Sequence, residues 1–146
     1  MARPQPDQRE AYRHWLSITT RWMDNDIYGH INNVQYYSYF DTVINRYLIE
    51  QGVLDIHGGE VIGLAVESHC NYFSSGAFPQ DIEAGLRVGH LGRSSVRYEV
   101  GLFVAGRDTA IAQGHFVHVF VRREESEPVE MPADLRAALA SLQAAG

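Results

Sequence analysis

Apolar residues recur along this chain with two different periods, and the change from one to the other predicts its elements. From Asn33 to Gln51 they fall at helical intervals, with Val34, Tyr37, Ile44 and Leu48 on one stripe and Tyr36, Phe40, Val43 and Tyr47 on the next. The combined face is too wide for an ordinary surface helix, so most of the circumference is expected to be covered. Asn32 or Asn33 can cap the start, because an Asn side chain accepts the first free amide hydrogens, and Gly52 supplies the stop. At 1.5 Å per residue the helix is roughly 28 Å long.

Beyond Gly59 the period becomes two. Val61–Phe73 reads as a strand; Ile82, Ala84, Leu86 and Val88 alternate with polar or small residues, as do Val96, Tyr98, Val100, Leu102 and Val104. In the last long strand Ile111, Gln113, His115, Val117, Val119 and Val121 form one face and Phe116, His118 and Phe120 the other. Pro79-Gln80 and Gly89–Ser94 are the expected turns. Ahead of the helix, Trp15–Trp22 has strand composition and Met23–His30 is a turn, while Met1 to about Arg13 reads as a loose leader. After Pro132 an alanine- and leucine-rich segment to Ala145 predicts a C-terminal helix.

Strand, long helix, then four strands joined by short turns give an α+β architecture: a single domain over 1–146, with a curved, mainly antiparallel sheet against one central helix. An open sheet edge favours at least a dimer.

Composition narrows the classes. With 146 residues, 45% hydrophobic content and a net charge of -6, the chain has the profile of one folded domain with no general attraction to nucleic acid or anionic membrane. Cys70 is the sole cysteine, which excludes an intramolecular disulfide and a thiolate metal cluster. The N-terminal segment lacks the apolar stretch of a signal peptide, and no apolar run reaches the ~18–20 residues that cross a bilayer. A cytoplasmic location is expected.

The polar crowding at Arg21–Arg46 (RWMDNDIYGHINNVQYYSYFDTVINR) is the candidate for chemistry. Asp24-Asn25-Asp26 with Gly29 suggests the start of a calcium loop, but Tyr28 and Gln35 stand where oxygen ligands belong. His115 and His118 lie an odd number of residues apart on a strand and face opposite ways, so they do not share a metal. Neither a nucleophile elbow nor a phosphate-binding glycine loop is present. An acid just before a helix remains. Amide hydrogens at the helix start can hold an oxyanion while a carboxylate activates water or attacks a carbonyl. Asp and Asn before a helix are more often turn and cap residues, so the pattern alone does not assign the chemistry.

The arrangement R-W-M-D-N-D-x-x-G-H-x-N-N-x-x-Y-x-x-Y-F-D resembles the signature of hotdog-fold acyl-CoA thioesterases of the 4-hydroxybenzoyl-CoA thioesterase type. The resemblance extends over Ser17–Arg122 and takes in AVESHCNYF at Ala65–Phe73, the F-P-Q-D-I-E segment, the Gly92–Ser95 turn and G-H-F-V-H-V-F-V. It implies two subunits joined into one sheet, as a homodimer or within a homotetramer, with sites at the interface. It also implies an acyl-CoA substrate and no metal or redox cofactor. By resemblance Asp26 is the catalytic carboxylate, Asn33 offers its backbone amide to the thioester carbonyl, His30 orients substrate or Asp26, and Asp24 is structural. Asp41, set inside the apolar stripe, is the rival acid or a substrate contact, and it can also pair with Arg46. Tyr36, Tyr39 and Phe40 line the acyl pocket or belong to the core. Arg93, Ser94 and Ser95, with Arg97 assisting, stand where the family meets the nucleotide end of coenzyme A. Enoyl-CoA hydration and non-catalytic acyl-CoA or acyl-carrier binding are the alternatives.

Overall fold

The computed structural model describes residues 4–143. Five strands, β1 (His14–Ile18), β2 (Val61–Tyr72), β3 (Ile82–Leu91), β4 (Ser95–Val104) and β5 (Ala112–Arg122), form one antiparallel sheet in the order β1-β3-β4-β5-β2. The helix α1 (Asn33–Glu50) touches β1, β3, β4 and β5, so the sheet wraps it as the periodicities predict. Register shifts at Ala65/Glu67 in β2 and Val88/His90 in β3 mark bulges, which bend a sheet. Gly89 therefore sits in a strand rather than in the expected turn.

The core lies between α1 and the concave face of the sheet. Tyr36, Tyr39, Phe40, Val43, Ile44, Tyr47 and Leu48 of α1 meet the alternating residues of β3 and β4, and Phe116 and Phe120 of β5. Only this side of α1 is covered. Val34 is 66% exposed, and Asp41, Arg46 and Ile49 also face outward, which corrects the expectation of a helix covered around most of its circumference. The second face has nothing to pack on within one chain.

The N-terminal segment is not loose over its described residues. Tyr12 is buried on the convex face, in a flat spot left where Gly85 of β3 pairs with Gly101 of β4. A Cβ on Gly101 would stand 2.5 Å from the Tyr12 ring, so two facing glycines are what admit it. Its hydroxyl donates to Asp7 at 2.9 Å, Arg87 bridges Asp7 and Glu99, and Phe103 and Trp15 pack edge-on around it. β1 is shorter than expected, and Trp22–Asp24 forms a 3-10 turn. The C-terminal helix α2 (Ala133–Ala140) starts where expected but ends earlier, and the last residues assigned to it lie outside the described ones. No described helix is long and apolar enough to cross a membrane.

Candidate active site

Asp24 anchors the loop that enters α1. It is 1% exposed and accepts from the Arg21 backbone N–H at 2.9 Å, the Arg21 guanidinium at 2.9 Å and the Tyr39 hydroxyl at 2.8 Å. Burial alone raises a carboxyl pKa, but these hydrogen bonds outweigh it and hold Asp24 below the usual carboxylate value. Its carbonyl accepts the Asn32 N–H at 2.9 Å, which ties loop to helix.

Two residues on, Asp26 sits half-buried in a tight loop. Its N–H donates to the His30 carbonyl at 2.9 Å, its carbonyl accepts the Gly29 N–H at 3.0 Å, and its Oδ1 accepts the Tyr28 N–H at 2.9 Å. Gly29 has φ +80°, a conformation that favours glycine. The loop is fastened at both sides: Ile31 N–H donates to the Gly76 carbonyl and Phe78 N–H to Asn25 Oδ1. His30 is exposed.

Asn32 caps α1, its side chain accepting the Val34 N–H at 3.0 Å, and the Gln35 N–H donates to the Asn32 carbonyl. Among the described residues nothing accepts the Asn33 N–H, which leaves that amide open at the positive end of the helix.

Tyr39 and Phe40 lie in the core, the former spending its hydroxyl on Asp24. Tyr36 is buried and stacks on Tyr72 of β2 with ring centroids 5.2 Å apart. Asp41 is on the open side of α1 rather than in the buried stripe, and Arg46 pairs with Glu50 at 2.8 Å instead of with it. Partial burial still raises the Asp41 pKa.

Arg93, Ser94 and Ser95 stand at the opposite end of the sheet from Asp26, one strand length away, or about 30 Å for ten residues. Arg93 is exposed, with its guanidinium 3.7 Å from Glu130. Its carbonyl and that of Gly92 hold Arg136, a contact no sequence pattern announced. Arg97 is not with them: it lies on the convex face, bound to Glu99 at 2.9 Å. The same far end carries a cavity of about 320 Å³ that sequence reading did not single out, between α1, β2, β5 and Leu135. His118 is in its wall, buried, and His115 is on the other face beside Glu67, as their odd spacing requires.

The Thioesterase-like superfamily model matches residues 20–139. The chain matches none of the curated proteins with which it was compared. Among solved structures it is similar to the PA5185 protein of Pseudomonas aeruginosa strain PAO1, at 60% identity and TM-score 0.95 over 97% of this chain and 99% of that one. The PA2801 protein of the same species is 30% identical, with TM-score 0.79 over 86% of this chain and 96% of that one. The 1,4-dihydroxy-2-naphthoyl-CoA thioesterase of Synechocystis shares the fold at 14% identity, with TM-score 0.80 over 88% of this chain and 96% of that one. A sheet wrapped on one long helix, an acid in the loop entering that helix and a family match across both place this chain in the thioesterase-like superfamily of hotdog-fold proteins.

Proposed function

We propose that the chain hydrolyses acyl-CoA thioesters to a free acid and coenzyme A, with Asp26 as the reacting carboxylate. One observation carries the assignment of residues: a half-buried carboxylate, held by its own loop, precedes a helix whose Asn33 amide has no partner among the described residues. Asp26 takes a proton from water as the water oxygen attacks the thioester carbonyl carbon. The oxyanion that forms accepts the Asn33 N–H and is favoured by the helix dipole. The C–S bond then breaks, and the proton passes to the departing thiolate. In the nucleophilic variant Asp26 attacks directly, and water cleaves the resulting anhydride. Neither route draws on a metal or redox cofactor.

The site is shared between two copies in this reading. Of the ten large apolar side chains exposed among the described residues, Trp22, Met23, Ile27, Tyr28 and Val34 surround the Asp26 loop and Leu64, Val66 and Tyr72 lie on β2. β2 is also a long edge strand with an unpaired side. Antiparallel pairing of two β2 edges satisfies that side, as edge strands require, and covers both apolar groups. It brings the Arg93 turn of one copy toward the Asp26 loop of the other. Arg93, with Ser94 and Ser95, then serves the phosphates of coenzyme A; Arg97, engaged by Glu99 on the far face, is the weaker candidate. Asp41 and His30, both open to the shared space, are left to position the substrate. A cytoplasmic setting is consistent with Cys70, a free thiol.

The test is Asp26→Asn. Loss of a general base or nucleophile should lower kcat/KM for acyl-CoA by about 10³-fold while circular dichroism and subunit assembly stay unchanged. Undiminished turnover in that variant would exclude Asp26, and saturable acyl-CoA binding without turnover by the native chain would favour a binding protein.

A further inference from the structure

The cavity at the far end of α1 has apolar walls, among them Leu48, Leu54, Ile62 and Phe120, and one polar side chain, His118, with no hydrogen-bond partner among the described residues. His118 is 7% exposed, and its Nε2 is buried away from the cavity, so the nitrogen that a ligand there can meet is Nδ1, beside Gly63 in the wall. The Tyr98 hydroxyl is buried and unpartnered as well, with its ring edge-on to the imidazole at 5.1 Å. The other polar residues of the wall are engaged: Arg123 donates to the carbonyls of Gly59 and Ile56, and the Asn45 amide to that of Asp41. Gly63 keeps the imidazole accessible, since a Cβ there would stand 3.2 Å from His118 Nδ1.

An unpartnered buried imidazole costs on the order of 1–3 kcal/mol. Phe116 and Phe120, on the same face of β5, show that an aromatic hydrocarbon packs in this layer without that cost. Burial also pushes the His118 pKa down to about 4, so the ring is neutral and offers one donor and one acceptor. A neutral hydroxyl matches it, while Arg123, the cation in the wall, turns its Nε and Nη2 to the carbonyls of Gly59 and Ile56.

Resting on the thioesterase reading above, we propose that this cavity receives the acyl group of the substrate and that His118 selects compact apolar acyl groups bearing a hydroxyl. The catalytic loop that serves it belongs to a second copy. Within one chain, α1 separates Asn33 from Leu48 by about 22 Å, too far for a compact group to reach. Pairing of β2 edges sets Val61–Gly63 of one copy against Cys70–Tyr72 of the other, and Tyr72 stacks on Tyr36 in the first turns of α1.

The experiment compares 4-hydroxybenzoyl-CoA with benzoyl-CoA, and 8-hydroxyoctanoyl-CoA with octanoyl-CoA, on the full chain. The native protein should favour a hydroxylated member, and His118→Phe should cut that preference, read as the ratio of the two kcat/KM values, by about tenfold or more. Gly63→Val, which intrudes on the cavity and covers the His118 ring, should lower kcat/KM for both members and shrink the hydroxyl preference as well. Turnover without hydroxyl preference, or a preference that survives His118→Phe, overturns the proposal. A second readout is independent of hydrolysis: p-cresol, and not toluene, should move the ¹⁵N resonances of the His118 ring. If no thioester turns over yet p-cresol moves those resonances, the pocket stands and the thioesterase reading falls. Resonances that stay fixed would overturn the pocket.

Discussion

The two ends of α1 are built for opposite purposes. At its N-terminus the Asp26 loop offers a carboxylate, an open amide and a rim of exposed Trp22, Ile27 and Tyr28 around a smaller hollow of about 230 Å³. At its C-terminal half the chain encloses about 320 Å³ behind apolar walls and His118, but no acid reaches in. Reactive groups beside a small hollow and a larger apolar pocket lined by no acid are complementary halves. The exposed β2 edge is the surface through which two chains can join them.

The largest effect that can break this comparison comes from mixing variants. Asp26→Asn chains lack the acid and Gly63→Phe chains lack the cavity, so each alone should be nearly inactive. Co-refolded in equal amounts, half the dimers are mixed and each mixed dimer regains one intact site, restoring about one quarter of native activity. No recovery would mean that both halves must come from one chain.

A smaller effect is expected at Asp24, which belongs to the scaffold. Asp24→Ala leaves the buried Tyr39 hydroxyl and the Arg21 amide without their acceptor and should cost about 3 kcal/mol, read as a fall in Tm. The folded pKa of Asp24 lies below its unfolded value of ~3.9. Its stabilisation is therefore present above that value and is lost as pH falls through the folded pKa. Native protein should lose stability over that acidic window more steeply than Asp24→Asn. The smallest effect concerns Arg93, which is exposed and loosely paired: Arg93→Ala should raise KM for acyl-CoA about threefold to tenfold with kcat unchanged. An equal change for a short acyl-pantetheine lacking the nucleotide would remove Arg93 from coenzyme A recognition.

The periodicities of 3.6 and 2 carried the main elements, because each is set by burial of one face and therefore written residue by residue. α1, β2, β3, β4 and β5 appear within a few residues of their expected bounds, and Asp24 and Asn32 take the anchoring and capping roles their types allow. Tyr12 shows the limit. Nothing local distinguishes it in a proline-containing leader; only the pairing of Gly85 with Gly101, distant in sequence, makes the socket it fills. Asp41 shows another. The stripe drawn through Val34, Tyr37, Ile44 and Leu48 ran along the boundary between covered and open sides, and which side faced the sheet was not written in that spacing.

By itself, then, the sequence determined the α+β elements, the family and the loop that holds Asp26, since local pattern and short motifs encode all three. Tertiary structure decided which side of α1 is buried, that Arg97 and Arg93 part company, and that His118 stands unpartnered in a cavity nearly the length of the helix from the acid. Those are relations between residues far apart in the chain, fixed by strand register and by what each side chain happens to meet across the core.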